Sequence, residues 1–576
     1  MNRRLGIAAL AALPLALLGW NGTAKILFEE VSVKAGVQTT HQTRRFKGKS
    51  GDVLRMFTSG GAAAAVGDFN NDGLDDLFVT DSNEGTLSKL YRNDGNWKFT
   101  EVGEGAGVNG GNDPLSIVAD GLWFDYDNDG WQDLMAVRFG LPILYHNEHN
   151  GKFKNVSAQS GFTKFGNTIA AVAFDYDNDG KLDVMLGQYF KAENLLDLKT
   201  PHVLPNDLDN AVNGGGVDLW HNEGNGRFKL VTKEAGFAHH TGWTLDIGHG
   251  DFDNDGWQDI YLACDYGTDR IFFNNKNGTF RDATVKSIGI DTKKGMNVDI
   301  GDYDNDGFQD IYVTNITDEY MKECNMLWHN NGDGTFTDLS KETGTCPTLW
   351  GWAAKFGDFD NDGWQDLFVV NGLRSAGKEN YIPVLVTMIT TPGVDFTNVN
   401  NWPNIGGMTW SGYQKKKMFR NLGNQAFKEI SAEAGVDNDL DGRGIGMGDF
   451  DNDGLLDLYQ TNADQRSLLY RGRAEGAGNW IELKLIGARS NRDAIGAKVT
   501  ITSGGLKQIR EVNGGNGYAG QSTLRLHFGL GKAAKPDMIE IRWPSGAVEK
   551  VSAPVNQVTY VQEGKGVVPA WGPKKS

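Results

Sequence analysis

Asp125-Tyr126-Asp127-Asn128-Asp129-Gly130-Trp131-Gln132-Asp133 carries acids at the first, third, fifth and ninth of nine positions, glycine at the sixth, and a backbone carbonyl available at the seventh. The pattern begins again at Asp68, Asp175, Asp251, Asp302, Asp358 and Asp449, so the chain holds seven copies. One such match would read as a solvated acidic turn; seven near-identical copies do not. Four carboxylates within nine residues repel at a cost on the order of kilocalories per pair unless a cation neutralises them. Calcium accepts six to eight oxygens in flexible geometry, whereas zinc normally brings His or Cys, which no loop contains. The glycine allows the sharp bend, and the Asn before position five tolerates left-handed backbone angles.

The expected calcium ligands follow from positions one, three, five and nine. They are Asp68, Asn70, Asp72 and Asp76; Asp125, Asp127, Asp129 and Asp133; Asp175, Asp177, Asp179 and Asp183; and Asp251, Asp253, Asp255 and Asp259. Three further sets are Asp302, Asp304, Asp306 and Asp310; Asp358, Asp360, Asp362 and Asp366; and Asp449, Asp451, Asp453 and Asp457. About seven calcium sites are expected, the first weakened by Asn70. An EF-hand is excluded, because position twelve is Val79, Ala136, Leu186, Leu262, Val313, Val369 or Gln460 and never Glu. Runs such as Leu77-Phe78-Val79 and Ile311-Tyr312-Val313 make the flanks strands.

A hairpin follows the loop: Tyr145 to Phe153 recurs as Trp220 to Phe228, Phe272 to Phe280, Trp328 to Phe336 and Phe419 to Phe427. Each unit thus supplies four short strands at a period of about 50 residues, which describes a propeller blade. Insertions of this pattern fall at roughly residues 190–216 and 372–416. The last unit lacks its fourth arm after Leu468-Leu469-Tyr470-Arg471, while Phe28 to Val37 copies Phe427 to Val436 ahead of the first loop. The N-terminal strand is therefore expected to complete the last blade and close the ring. The fold class is all-β: a seven-bladed β-propeller with calcium-binding loops, plus a small C-terminal β-domain.

The expected divisions are a signal peptide at 1–24, the propeller at 25–474, the β-domain at 475–566 and a flexible tail at 567–576. Met1-Asn2-Arg3-Arg4 followed by the apolar run Leu5 to Leu18 has the regions of a secretory signal, and the run is short for a membrane span. Export to a secreted, extracellular or periplasmic location is expected, with no stable span after cleavage and the twin-arginine route left open. Net charge is −18. The loops hold 27 carboxylates, so the rest of the chain is about nine positive, and seven calcium ions would bring −18 to −4. The acidity belongs to metal sites, and no nucleic-acid partner is expected. Cys324 and Cys346 bracket one hairpin, close enough for a bridge in an oxidising compartment; Cys264 would then be a buried, unpaired thiol.

After Gly478 the repeat stops, and alternating segments such as Gly478-Asn479-Trp480-Ile481-Glu482-Leu483 and Ala494-Ile495-Gly496-Ala497-Lys498-Val499 begin. Gly517-Tyr518-Ala519-Gly520-Gln521-Ser522, Leu526-His527-Phe528-Gly529-Leu530-Gly531 and Ile541-Arg542-Trp543-Pro544-Ser545-Gly546 mark the same region. The loops resemble the FG-GAP or VCBS repeats of integrin α-subunit heads, and these segments resemble the ASPIC/UnbV domain. In this order they resemble the cartilage acidic protein 1 family, which implies a secreted calcium-binding propeller.

Two functions are expected from different classes. One is an extracellular binding or adhesion module for a glycan or protein ligand, on the face carrying the insertions, whose Tyr381, Trp402, Trp410 and Tyr413 either contact ligand or pack on the blade below. The alternative is a calcium-dependent polysaccharide lyase or dehydratase, with His239, His240 and His249 near Asp246 as its candidates. His249 is expected to face the central channel or a neighbouring blade. No nucleophile elbow, phosphate loop or HExxH motif is present.

Overall fold

The computed structural model describes residues 24–570 apart from 48–50, 109, 192 and 424. Of the expected signal segment only Ala24 falls among them, and the tail beyond residue 570 lies outside.

Each nine-residue loop joins an inner strand to a second strand, and its last Asp is the first residue of that second strand. In the unit around Asp125, strand Ile117–Phe124 enters the loop, Asp133–Gly140 leaves it, and Ile143–Asn147 and Phe153–Asn155 form the hairpin. All four are antiparallel to their neighbours. The same order recurs around the other loops, with two units merged into one eight-stranded sheet. In the last unit the outer strand is supplied by Lys25–Glu30, which pairs antiparallel with Leu468–Glu475, Phe28 opposite Gly472.

Burial explains why the units associate. The strands are apolar on both faces: Leu122, Phe124, Met135 and Val137 pack on one side of their sheet, and Trp123, Leu134 and Ala136 on the other. Side chains of neighbouring units share each layer. Ala65, Phe78 and Leu90 meet Trp123, Leu134 and Tyr145, while Val66, Leu77 and Tyr91 of the first unit meet Phe450, Tyr459 and Leu469 of the last. Inner strands pack on one another in sequence order, and Gly442–Gly448 of the last unit returns to Ala64–Gly67 of the first. The chain is mostly β and propeller-like.

Two insertions leave this frame, between strands Asp183–Phe190 and Gly216–Gly224 and between Asp366–Asn371 and Lys417–Asn421. The second contains helix Ile382–Thr390, and another helix, Gly51–Thr58, precedes the first inner strand. Residues 479–568 form two four-stranded sheets. From them a segment enters the ring axis. Gly520–Gln521 pairs parallel with Ala64–Gly67, Ala173 N–H donates to Gly514 O, and Gln521 brackets the backbone of Trp123 with bonds of 2.7 and 2.9 Å.

Candidate functional site

The loop geometry is set by its first and last carboxylates. Asp125 accepts the N–H groups of Asp129 (3.1 Å) and Gly130 (2.6 Å), which folds the loop over it. Asp133 accepts the N–H of Tyr126 with one oxygen and that of Asn147, on the third strand, with the other. The same bonds recur at Asp68 and Asp76, at Asp358 and Asp366, and at Asp449 and Asp457. Positions one and nine are consequently buried, apart from half-buried Asp68, while Asp127 and Asp129 at three and five reach solvent.

Three carboxylates converge in Asp125, Asp127 and Asp133, and again in Asp175, Asp177 and Asp183, with one oxygen of each within 4.8 Å of the others. Burial, then the charges of Asp360, Asp362 and Asp358, hold Asp366 well above the carboxylate range. Oδ1 of buried Asp360, of Asp253 and of Asp451 lacks a hydrogen-bond partner. Oxygens brought together, desolvated and unpartnered fit a hard divalent cation. These Asp-rich groups can hold metal ions. In the first loop Asn70 Nδ2 donates to Asp72 Oδ2 at 3.2 Å, which engages an oxygen that the other loops leave free of that amide.

The hairpin contributes a side chain to this edge that its sequence does not advertise. His146 Nδ1 stands 3.2 Å from Asp133 and 3.5 Å from Asp127, and His221 and His329 take matching places beside Asp183 and Asp310. Hydrogen bonding to Asp310 raises His329 to about 9. Elsewhere the position is Arg420 or Arg471, paired with Asp360 and Asp451 at 2.6 Å each, while in the unit of Asp251 it is Phe273 and Lys276, two residues past the hairpin Asn, pairs with Asp255 at 2.9 Å.

Two sets of Asn side chains tie unit to unit. Position four of each loop, in left-handed conformation, donates to the position-six carbonyl of the next: Asn71 to Gly130, Asn128 to Gly180, Asn178 to Gly256, Asn254 to Gly307, Asn305 to Gly363 and Asn361 to Gly454. Asn452 then donates to Gly73 at 3.1 Å, so the chain of bonds ends where it began. The second set comes from the hairpins: Asn147, Asn222 and Asn330, for example, each bond their own unit and a carbonyl of the preceding loop, Phe69, Tyr126 and Phe252.

The C-terminal sheets rest on this loop face. Arg525 pairs with Asp75 (2.5 Å) and Glu482 (2.9 Å) and donates to Asn452 Oδ1 (2.6 Å); Arg542 and Lys498 pair with Asp251. Their axial segment accounts for His249. The ring is buried, Nδ1 lies 2.6 Å from Gln258 Oε1, and Nε2 accepts the N–H of Gly514 at 2.9 Å. Burial lowers it to about 4, as it does His240, whose Nε2 bonds Thr244 Oγ1. Asp246 accepts the N–H groups of Ile247 and Val298, and His239 is exposed. His240, Asp246 and His249 are each spent on separate contacts, and His249 belongs to the axial packing.

The opposite face holds a cavity of about 330 Å³. Loops lie where second strands begin, so the far ends of those strands define this face: Tyr189 near one, Asp265 just past Cys264 and Leu373 just past Asn371 all line the cavity. Both insertions and helix Gly51–Thr58 build its walls, and Tyr518 at the tip of the axial segment lines it from below. Of the two expectations for the insertion aromatics, packing holds for two of the four. Tyr381 and Trp410 are buried against each other, ring centres 5.4 Å apart, because burying two large aromatic faces outweighs presenting them to water. Trp402 is half-buried and, with Trp410, lines the cavity; only Tyr413 is exposed.

The FG-GAP-like repeat family matches residues 125–186, 207–262, 251–313 and 316–369, and the ASPIC and UnbV family matches 487–568. The chain carries FG-GAP repeats and a C-terminal ASPIC/UnbV domain. It is distantly similar to cartilage acidic protein 1 of Xenopus tropicalis, 26% identical over 294 residues covering 46% of this chain and 44% of the relative. To the Homo sapiens protein it is 25% identical over 340 residues, 58% of this chain and 45% of that one. It thus spans about half the length of the curated relatives it matches. Among solved structures, an Agrocybe aegerita lectin that recognises non-reducing terminal N-acetylglucosamine aligns with TM-score 0.34 and 14% identity, over 70% of this chain and 86% of that one. BBS1N, solved with ARL6DN, aligns with TM-score 0.39 and 8% identity, over 77% and 97%.

The first and last loops, at Asp68 and Asp449, fall outside the matched FG-GAP segments yet keep the same bonds. Three groups of residues escape the sequence argument: the hairpin cations, the axial segment and the cavity acid Asp265. Recurrence of His or Arg before the hairpin Asn, as in His146, His221, His329 and Arg420, was a usable signal for the first.

Proposed function

We propose that this is an exported, seven-bladed FG-GAP propeller, covering residues 25–474, that binds calcium in its loops and acts as an extracellular binding module. The carboxylates of positions one, three, five and nine would hold the ions, which supply charge neutralisation that locks each loop to its hairpin. A closed ring of Asn-to-carbonyl bonds through every loop supports the blade count. Cys324 and Cys346 form a disulfide, and no helix among the described residues is long and apolar enough to cross a membrane, both in keeping with export.

The observation that carries the binding reading is the cavity opposite the loops, walled by both insertions. The ASPIC/UnbV sheets cover the loop face, which leaves the insertion face for ligand. The lyase or dehydratase alternative rests on His239, His240, His249 and Asp246, which the fold does not bring to one point, so binding is preferred. A glycan, polysaccharide and protein array, scored for retention and for product release, tests it. Retention should be lost in Val386→Arg, at a cavity-lining position 40% exposed, and kept in Asp253→Asn. Equal retention by both variants would place the ligand elsewhere, and product release would restore the enzyme reading.

A further inference from the structure

The cavity opposite the loops is chemically one-sided. Val53, Leu204, Leu208, Leu245, Ile316 and Leu385 give it aliphatic walls, and aromatic rings complete them. Among its lining residues Asp265 alone carries a charge. No Lys or Arg among the described residues pairs with it: the nearby Lys294 pairs with Glu323 at 2.9 Å and Asp209 at 3.4 Å. Among the described residues the only side chain bonded to the Asp265 carboxylate is Tyr189, whose hydroxyl donates at 2.5 Å. Burial pushes the acid up to about 6, still ionised for the most part at neutral pH.

The polar tips of the surrounding rings are largely occupied by protein. Trp410 Nε1 donates to Tyr320 OH at 3.0 Å, Trp402 Nε1 to Phe396 O at 2.8 Å, Trp352 Nε1 to Gly372 O at 2.9 Å, and Tyr518 OH to Gly60 O at 3.0 Å. A polyol would find few groups to replace its hydration, and each unmatched hydroxyl is costly in an apolar site. An apolar body loses nothing there, and a positive group gains twice, from the unpaired carboxylate and from aromatic rings that attract cations.

We propose that this cavity takes an organic ammonium: a small molecule with an apolar or aromatic body and one cationic head that pairs with Asp265. The proposal rests on the binding reading above and names its ligand class. A volume of about 330 Å³ is at the small end of ligand pockets, which fits a compact molecule in place of an oligosaccharide.

Calorimetric titration of the calcium-loaded chain with phenyltrimethylammonium and with its neutral isostere tert-butylbenzene separates the two claims. The cation should bind at least about tenfold tighter than the neutral probe, and Asp265→Asn should remove most of that difference while changing tert-butylbenzene binding less than about twofold. Tyr413→Ala, on the exposed insertion surface away from the cavity lining, should leave both unchanged. If both probes bind equally to the unmodified protein, the ammonium assignment is overturned while a ligand cavity stands. If neither binds, the ammonium assignment falls, and the array retention above decides the binding reading separately. The wild-type comparison alone decides the matter should Asp265→Asn not fold.

Discussion

Cutting the Asn-to-carbonyl ring at its closing link, Asn452, should cost more than cutting it at Asn305, by an amount the contacts define. Asn452 joins the last loop to the first through Gly73 O and also accepts Arg525 Nη1 from the ASPIC/UnbV domain. Asn305 joins two interior loops through Gly363 O at 3.0 Å, and its Oδ1 has no partner. Both residues are left-handed, φ 55° and 59°, so glycine keeps the backbone and removes only the side chain. Asn305→Gly should lose one neutral bond, about 1 kcal/mol. Asn452→Gly should lose that and a bond to a charged donor, about 2.5 kcal/mol together, Arg525 retaining Asp75 and Glu482. The added freedom of an unfolded glycine, about 0.4–1 kcal/mol, burdens both equally. Alanine avoids that freedom but keeps the Cβ in the left-handed region without the short polar side chain by which Asn tolerates it, so it should be slightly worse than glycine at each site. Urea unfolding in excess calcium measures all four variants. Equal costs for Asn452→Gly and Asn305→Gly would refute the idea that the Arg525 bond to Asn452 contributes to stability.

Chelation should lower the melting temperature sharply by calorimetry, since an ion at a hundred times its dissociation constant stabilises by about 2.7 kcal/mol per site; an unchanged melt would overturn the calcium assignment. Asn70→Asp should tighten the weakest site several-fold in a calcium titration, because it replaces the amide bonded to Asp72 by a fourth carboxylate. Asp120, buried on an inner strand and raised to about 8 by that burial, favours its protonated form in the folded state. Its contribution to stability is therefore full below about pH 4 and lost as pH rises through about 8, so Asp120→Asn should match wild type near pH 4 and exceed it by more than about 1 kcal/mol at pH 9 in thermal melts. Removing the Cys324–Cys346 bridge, with its sequence separation of 22, should cost about 3 kcal/mol, read as a lower urea midpoint of the double serine variant.

Most of the frame is legible in the sequence because it is local and repeated. The loops begin at the expected residues, the four strands per unit follow from hairpin spacing, and the copy of Phe427 to Val436 at Phe28 to Val37 identifies the strand that pairs with the last unit. What stays hidden acts across hundreds of residues. Gly514 meets His249, Tyr518 meets Gly60 and Asn297, and Gln521 meets Trp123, contacts for which periodicity carries no signal. The hairpin Asn is visible as a recurring letter, yet its reach to the preceding loop depends on how sheets stack. Asp265, one residue beyond a strand, reads as an ordinary turn acid until the insertions fold over it.

The pairing of Lys25–Glu30 with Leu468–Glu475 has a consequence for assembly. Among the described strands the first made is held by the last strand of the repeats, a closure spanning almost the whole array, so ring formation waits for nearly complete synthesis and is kinetically demanding. Until that pairing forms, the last unit presents an open edge, and an identical N-terminal strand from another copy fits it equally well. A seam that closes one ring can close two reciprocally, which makes a domain-swapped dimer the natural by-product of crowded folding.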